Sequence, residues 1–129
     1  MNILLVEDDP DAAQILEKNL SQWGHQVEQA ATCSEALKKV RLFDFDLILL
    51  DLFLPDGLGH SLIPDFKQVA PEAIIVTMTG HNTRDLEQEV RRMGVLFYMI
   101  KPFETKHLQS MVQHIAGNKG FEIHAESRA

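Results

Sequence analysis

The sequence predicts an α/β domain of five consecutive βα units, with a parallel sheet covered by helices on both faces. Three observations carry that expectation. Short apolar runs without polar alternation, Ile3-Leu4-Leu5-Val6 and Leu47-Ile48-Leu49-Leu50, read as strands buried on both faces. Longer stretches with helical periodicity separate such runs along the chain. Strands and helices that alternate in this way pair in parallel through right-handed crossovers. With 129 residues, the chain has the length of one domain and can bury a core without disulfides or a structural metal.

Strands are expected at residues 2–6, 26–29, 46–50, 73–77 and 96–100, the second carrying the weakest signal. Helices are expected at about 10–22, 33–42, 58–69, 83–93 and 104–116. Asp9 suits an N-cap, and Pro10 suits the first helical turn, where a missing N–H costs nothing. Thr32 and Glu35 have the spacing of a capping box. Gly24 and Gly94 follow helical patterns and can end them in the left-handed conformation. Residues 1–116 thus form the domain. Residues 117–129, from Gly117-Asn118-Lys119-Gly120 onward, read as a tail or the start of a linker. The sequence contains no internal repeat and no low-complexity tract.

Composition narrows the function. A net charge of −7 argues against direct nucleic-acid binding, since phosphate-binding surfaces are basic. Acid arrives at position 7, ahead of any long apolar stretch, so no secretory leader is expected, and no segment approaches the ~20 apolar residues of a membrane span. A cytoplasmic protein without a membrane partner is expected. The lone Cys33 cannot form an internal disulfide and reads as a small apolar residue. The histidines at 25, 60, 81, 107, 114 and 124 lack metal-ligand spacing; His107 and His114, seven apart, read as a solvated helix face. The five methionines read as core filler, and Arg84 to Arg92 as an exposed helix laced with ion pairs.

Chemistry gathers at the strand ends. The first buried run closes in Glu7, Asp8 and Asp9, the second in Asp51. Acids at the C-terminal ends of parallel strands meet at one edge of the sheet, where open α/β sheets bind ligands. Carboxylates about 4 Å apart repel by roughly 4 kcal/mol per pair at an effective dielectric near 20. Such a cluster implies a hard divalent cation or a shared proton. Asp9 is best used capping the first helix, which leaves Glu7 and Asp8 for the sheet edge. Thr79-Gly80 closes the fourth strand with a hydroxyl and an unobstructed amide, and Lys101-Pro102 closes the fifth with a cation. Each pair alone is ordinary loop chemistry. Together they suit phosphate chemistry: a metal-binding carboxylate, a nucleophilic carboxylate, a hydroxyl donor and an ammonium.

The chain here resembles the receiver domain of two-component response regulators. The resemblance rests on Val6-Glu7-Asp8-Asp9-Pro10, Leu49-Leu50-Asp51-Leu52, Leu54-Pro55-Asp56-Gly57, Met78-Thr79-Gly80 and Tyr98-Met99-Ile100-Lys101-Pro102-Phe103. Separations of 43 residues from Asp8 to Asp51, 28 to Thr79 and 22 to Lys101 follow the family's pattern. The resemblance implies a flavodoxin-like (βα)5 fold with strand order 2-1-3-4-5. It implies that Asp51 accepts a phosphoryl group from a histidine kinase or a histidine phosphotransfer protein. Asp8, Asp51 and the backbone carbonyl of Phe53 would then bind Mg²⁺, with Glu7 holding it through water. Lys101 and Thr79 would contact the phosphoryl oxygens, with Gly80 as a backbone contact and Tyr98 as the switch aromatic. The family's signalling face joins the fourth helix, the fifth strand and the fifth helix, and leaves room for a phosphorylation-dependent homodimer. Such a domain is a phosphoacceptor with slow autodephosphorylation, not an enzyme. The chain would be a stand-alone receiver or the N-terminal module of a longer regulator with a DNA-binding or ATPase output.

Some residues depart from the pattern. Phe53 is a large aromatic where many relatives carry something smaller or polar, His81 occupies the second position that tunes dephosphorylation, and Val95-Leu96-Phe97 is unusually apolar. Two rival readings lack residues they need. A phosphatase of the haloacid-dehalogenase type needs a second Asp two residues past the nucleophile, where Phe53 stands. A flavodoxin-like flavin carrier needs a Ser/Thr/Gly-rich phosphate loop after the first strand, and here that loop is acidic.

Overall fold

The computed structural model describes residues 1–119. In chain order they form β1 (Asn2–Val6), α1 (Pro10–Gln22), β2 (Gln26–Ala30), α2 (Cys33–Leu42), β3 (Leu47–Asp51), β4 (Phe53–Leu54) and β5 (Gly57–Leu58). A 3-10 turn (Gly59–Leu62), α3 (Ile63–Val69), β6 (Ile74–Thr79), α4 (Arg84–Arg91), β7 (Phe97–Ile100) and α5 (Thr105–Asn118) follow. Five strands pair in parallel in the order β2-β1-β3-β6-β7. With the two-residue strands set aside, this is the expected order 2-1-3-4-5.

Strand periodicity divides the core. Ile3, Leu5, Leu47, Leu49, Val76 and Met78 face one layer with Leu16 and Leu20 of α1 and Leu108, Val112 and Ile115 of α5. Their alternates Leu4, Val6, Ile48, Leu50 and Ile75 face the other layer, with Val40 of α2, Phe66 of α3 and Val90 of α4. A strand serving two layers has no solvent side, which is why these runs are apolar throughout. All five residues of β3, Asp51 included, are buried.

The capping chemistry is as expected at α1 and α2. Asp9 accepts a hydrogen bond from the Asp11 amide at 3.0 Å, with Pro10 opening the helix. Thr32 accepts from Glu35 N at 3.0 Å, while Glu35 reaches back one residue further than a capping box requires, to the Ala31 amide. Gly24 and Gly94 have φ of 93° and 82°, a region that penalises any side chain.

Most boundaries shift by a residue or two, and four differences bear on the site and its surroundings. The helix expected over 58–69 opens as the 3-10 turn and becomes α-helical only at Ile63, because Pro64 is tolerated in a first turn but not inside a helix. The segment after Asp51, where no strand is expected, holds an antiparallel ribbon, β4 with β5. β6 continues to Thr79, where the β-branched Thr77 and Thr79 pair with Tyr98 and Ile100. α5 reaches Asn118, so the first residues of the expected tail are helical. Residues 120–129 of that tail lie outside the described residues.

Candidate functional site

Parallel pairing brings the C-terminal ends of β1, β3, β6 and β7 to one edge of the sheet. There, carboxylate oxygens of Glu7, Asp8 and Asp51 all lie within 4.8 Å of one another. Glu7 and Asp51 are buried, Asp8 is exposed. Lys101, just past β7, donates from Nζ to Asp51 Oδ2 at 2.9 Å and to Glu7 Oε1. Four of the expected residues therefore meet as one cluster.

Its electrostatics are unbalanced. Burial pushes the Glu7 carboxyl above its ordinary value; the Lys101 bond opposes this and the neighbouring Asp51 adds to it. Burial works to lower the Lys101 ammonium, but its bonds to Glu7 and Asp51 prevail and hold it above its ordinary value. Lys101 therefore stays charged. Three carboxylates still face one ammonium, an excess of negative charge in a partly dry site. An all-oxygen donor set with that imbalance fits a hard divalent cation. The acidic pocket thus has the make-up of a divalent metal site.

One rim is tied down. The Phe53 amide donates to Asp51 Oδ1 at 3.2 Å, orienting the carboxylate from its own loop. The chain then folds back as the ribbon, and the Gly59 amide donates to Leu52 O at 2.8 Å. A Cβ at Gly59 would lie 1.9 Å from the Asp51 carbonyl oxygen, so only glycine fits this approach. Asp56, at the ribbon's tip, accepts from the Cys33 and Ser34 amides at 2.7 and 3.1 Å. The sequence marks Leu54-Pro55-Asp56-Gly57 through the resemblance and gives Gly59 no role. The available signal was a glycine at the start of an expected helix, where its propensity is poor.

The opposite rim is more loosely joined. Thr79 is fully buried, and its hydroxyl accepts from the His81 amide at 3.0 Å. Its hydrogen bond goes to the loop, not to Asp51. Gly80 sits beside Lys101, whose Cβ would lie 4.0 Å from a Cβ at Gly80. Tyr98 is 8% exposed and donates from its hydroxyl to Asn82 Oδ1 at 2.7 Å. The Arg91 guanidinium lies 5.5 Å from the Tyr98 ring centroid. Asn82 and Arg91 were not foreseen, since nothing local marks either as a partner of Tyr98. The Phe53 ring meets the His81 imidazole edge-on, centroids 5.4 Å apart, and so touches the other rim. His60, read as unremarkable in sequence, is buried and pairs with Glu89 of α4 at 3.2 Å.

The family model of the response regulator receiver domain matches residues 3–113. The chain belongs to this family. Its relatives include the transcriptional regulatory protein CitT of Bacillus subtilis, 34% identical over 92% of this chain and 62% of that protein. The chain thus spans less than two thirds of that regulator's length. Among solved structures, a CheY-like receiver domain protein from Methanospirillum hungatei JF-1 superimposes with a TM-score of 0.86 at 27% identity, covering 91% of this chain and 94% of that one. A response regulator from Burkholderia pseudomallei, solved with a phosphorylated aspartic acid, a calcium ion and citrate, gives 0.79 at 28% identity, covering 92% of this receiver and 74% of that chain. No helix among the described residues is long and apolar enough to cross a membrane.

Proposed function

We propose that this receiver takes a phosphoryl group on Asp51 from a histidine kinase or histidine phosphotransfer protein, using Mg²⁺. The observation that carries the proposal is the ammonium of Lys101 bonded to Asp51 Oδ2 inside the Glu7–Asp8–Asp51 cluster. In the transfer, an Asp51 carboxylate oxygen forms a bond to phosphorus as the P–N bond to the donor histidine breaks and the electron pair leaves with that nitrogen. The carboxylate needs little chemical help, because phosphoryl transfer depends on in-line positioning and on neutralising charge at the equatorial oxygens. Lys101 supplies one positive charge there, and Mg²⁺, when bound, supplies the rest. Asp8, Asp51 and the Phe53 carbonyl would hold the metal, with Glu7 acting through water. The amide side of Gly80 and the Thr79 hydroxyl supply hydrogen-bond donors.

The Thr79 hydroxyl, which accepts from the His81 amide, would turn its own proton toward the phosphoryl group. Tyr98, on the same rim, is the aromatic that would follow. The change would then be read on the surface of α4, β7 and α5 by an output domain, a partner or a second copy. A groove of about 570 Å³ beside Lys101, walled by Ile15 and Leu16 of α1 and by Pro102 and Phe103, leaves a route for the donor.

Incubation with acetyl phosphate and Mg²⁺ should add one phosphoryl group, seen by intact-protein mass measurement, with beryllofluoride as a stable mimic. Asp51→Asn should add none. Equal labelling of that variant would sink the assignment.

A further inference from the structure

The β4–β5 ribbon links the acceptor strand to helix α2, and a single side chain makes that joint. Cys33 and Ser34 open α2, so their amides have no intrahelical carbonyl to bond. α2 already has a cap in Thr32, which accepts from the Glu35 amide. Asp56 is therefore an additional cap, delivered from more than 20 residues away through bonds of 2.7 and 3.1 Å.

We infer that Asp56 is a positioning residue for the metal site: anchored on α2, it fixes the ribbon that presents the Phe53 carbonyl and braces the Asp51 backbone. The ribbon cannot hold itself. Its strands have two residues each, pairing Phe53 with Leu58 and Leu54 with Gly57, and isolated ribbons of that size are at best marginally stable. Cys33 also meets the ribbon at ordinary contact distance: its Sγ lies 3.9 Å from Leu58 O, and a Cβ at Gly57 would lie 3.6 Å from the same sulfur. Beyond the ribbon, Ser61 Oγ donates to Leu58 O at 2.6 Å, and Gly59 closes on the Asp51 carbonyl. The two amides also hold the Asp56 carboxyl below its ordinary value, as bonds to its charged form must.

This inference rests on the receiver reading of Phe53 as a metal ligand. Mg²⁺ affinity, measured by calorimetric titration, should fall on the order of tenfold in Asp56→Ala, at the low end for partners that orient metal ligands. Asp56→Asn, with one acceptor oxygen, should fall in between. Thr32→Ala removes the helix's own cap without touching the ribbon and should leave Mg²⁺ affinity unchanged. In metal-free protein, amide exchange at Gly59 should speed up in Asp56→Ala but not in Thr32→Ala. Parent-like Mg²⁺ affinity in both Asp56 variants, or an equal loss in Thr32→Ala, would overturn the inference alone. Parent protein that binds no Mg²⁺ would overturn the receiver reading of the metal site and this inference with it.

Discussion

The two rims of the Asp51 site are built to different standards. The rim formed by the ribbon is held from four directions: Asp56 on α2, Gly59 against the Asp51 carbonyl, the Gly59 amide on Leu52, and the Phe53 amide on Asp51 itself. On the rim formed by the ends of β6 and β7 the backbone is paired, but each functional side chain is held by single contacts: Thr79 to the His81 amide, Tyr98 to Asn82, Arg91 over the Tyr98 ring. A site that must place phosphorus to within fractions of an ångström needs one immobile half. A site that must also signal needs a half with a second arrangement within a few kcal/mol. Under the proposed function, placement falls to the first rim and switching to the second.

The harshest way to break the comparison is at Gly59. Gly59→Ala puts a carbon where the Asp51 carbonyl oxygen lies 1.9 Å away, so backbone must shift. Overpacking of this kind costs about 1–3 kcal/mol and occasionally more. Urea unfolding should show a loss of that size, with weakened Mg²⁺ binding. A parent-like midpoint would mean that the ribbon rim yields easily, and the contrast between rims would fail.

The acid run repeats the contrast on a smaller scale. Asp9 is committed to the α1 cap, whereas Asp8 is exposed and joins the carboxylate cluster. Asp8→Asn should lower Mg²⁺ affinity tenfold or more. Asp9→Asn should change it little, since Asn caps about as well as Asp. Equal losses on titration would refute this division of labour.

How much of this was legible depended on range. The buried runs of β1 and β3 announce themselves because both faces are apolar, and parallel pairing then forces Glu7, Asp8 and Asp51 to one edge. Lys101 and Thr79 could be placed there by the same reasoning. The ribbon could not, because strands of two residues carry no periodicity. Asp56 reaching Cys33, or Tyr98 reaching Asn82, depends on loops brought together only by the finished sheet. Glu7 is the middle case: its place at the edge was foreseen, its direct bond to Lys101 was not.

Phe53 is the ring that joins the rims, and it sharpens the comparison through lifetime. Hydrolysis of an aspartyl phosphate needs a water in line with the bond, opposite the leaving carboxylate. The Phe53 ring is 38% exposed and packs edge-on to His81, so both positions flanking the acceptor present rings in contact. An apolar ring cannot orient that water, and the contact occupies His81 as well. Phe53→Asn should therefore speed decay of the phosphorylated state about fivefold, equivalent to roughly 1 kcal/mol of barrier. Decay followed after removal of the phosphodonor tests this; an unchanged or slower rate counts against shielding.

The smallest effect is expected on the rim assigned to switching. Tyr98→Phe deletes the hydroxyl that donates to Asn82 and keeps the ring under Arg91. One such bond contributes about 0.5–1.5 kcal/mol net, so stability in urea should fall by no more than that. Mg²⁺ affinity should not change, because nothing on the ribbon rim is touched. If the Asn82 bond belongs only to the resting arrangement, its loss raises the population of the switched one. About 1 kcal/mol shifts that ratio roughly fivefold and tightens apparent beryllofluoride binding by up to the same factor. Weaker beryllofluoride binding would mean that the Tyr98 hydroxyl serves the switched arrangement instead. A change in Mg²⁺ affinity would mean that the rims are coupled before phosphorylation, and the division between a placing half and a switching half would not hold.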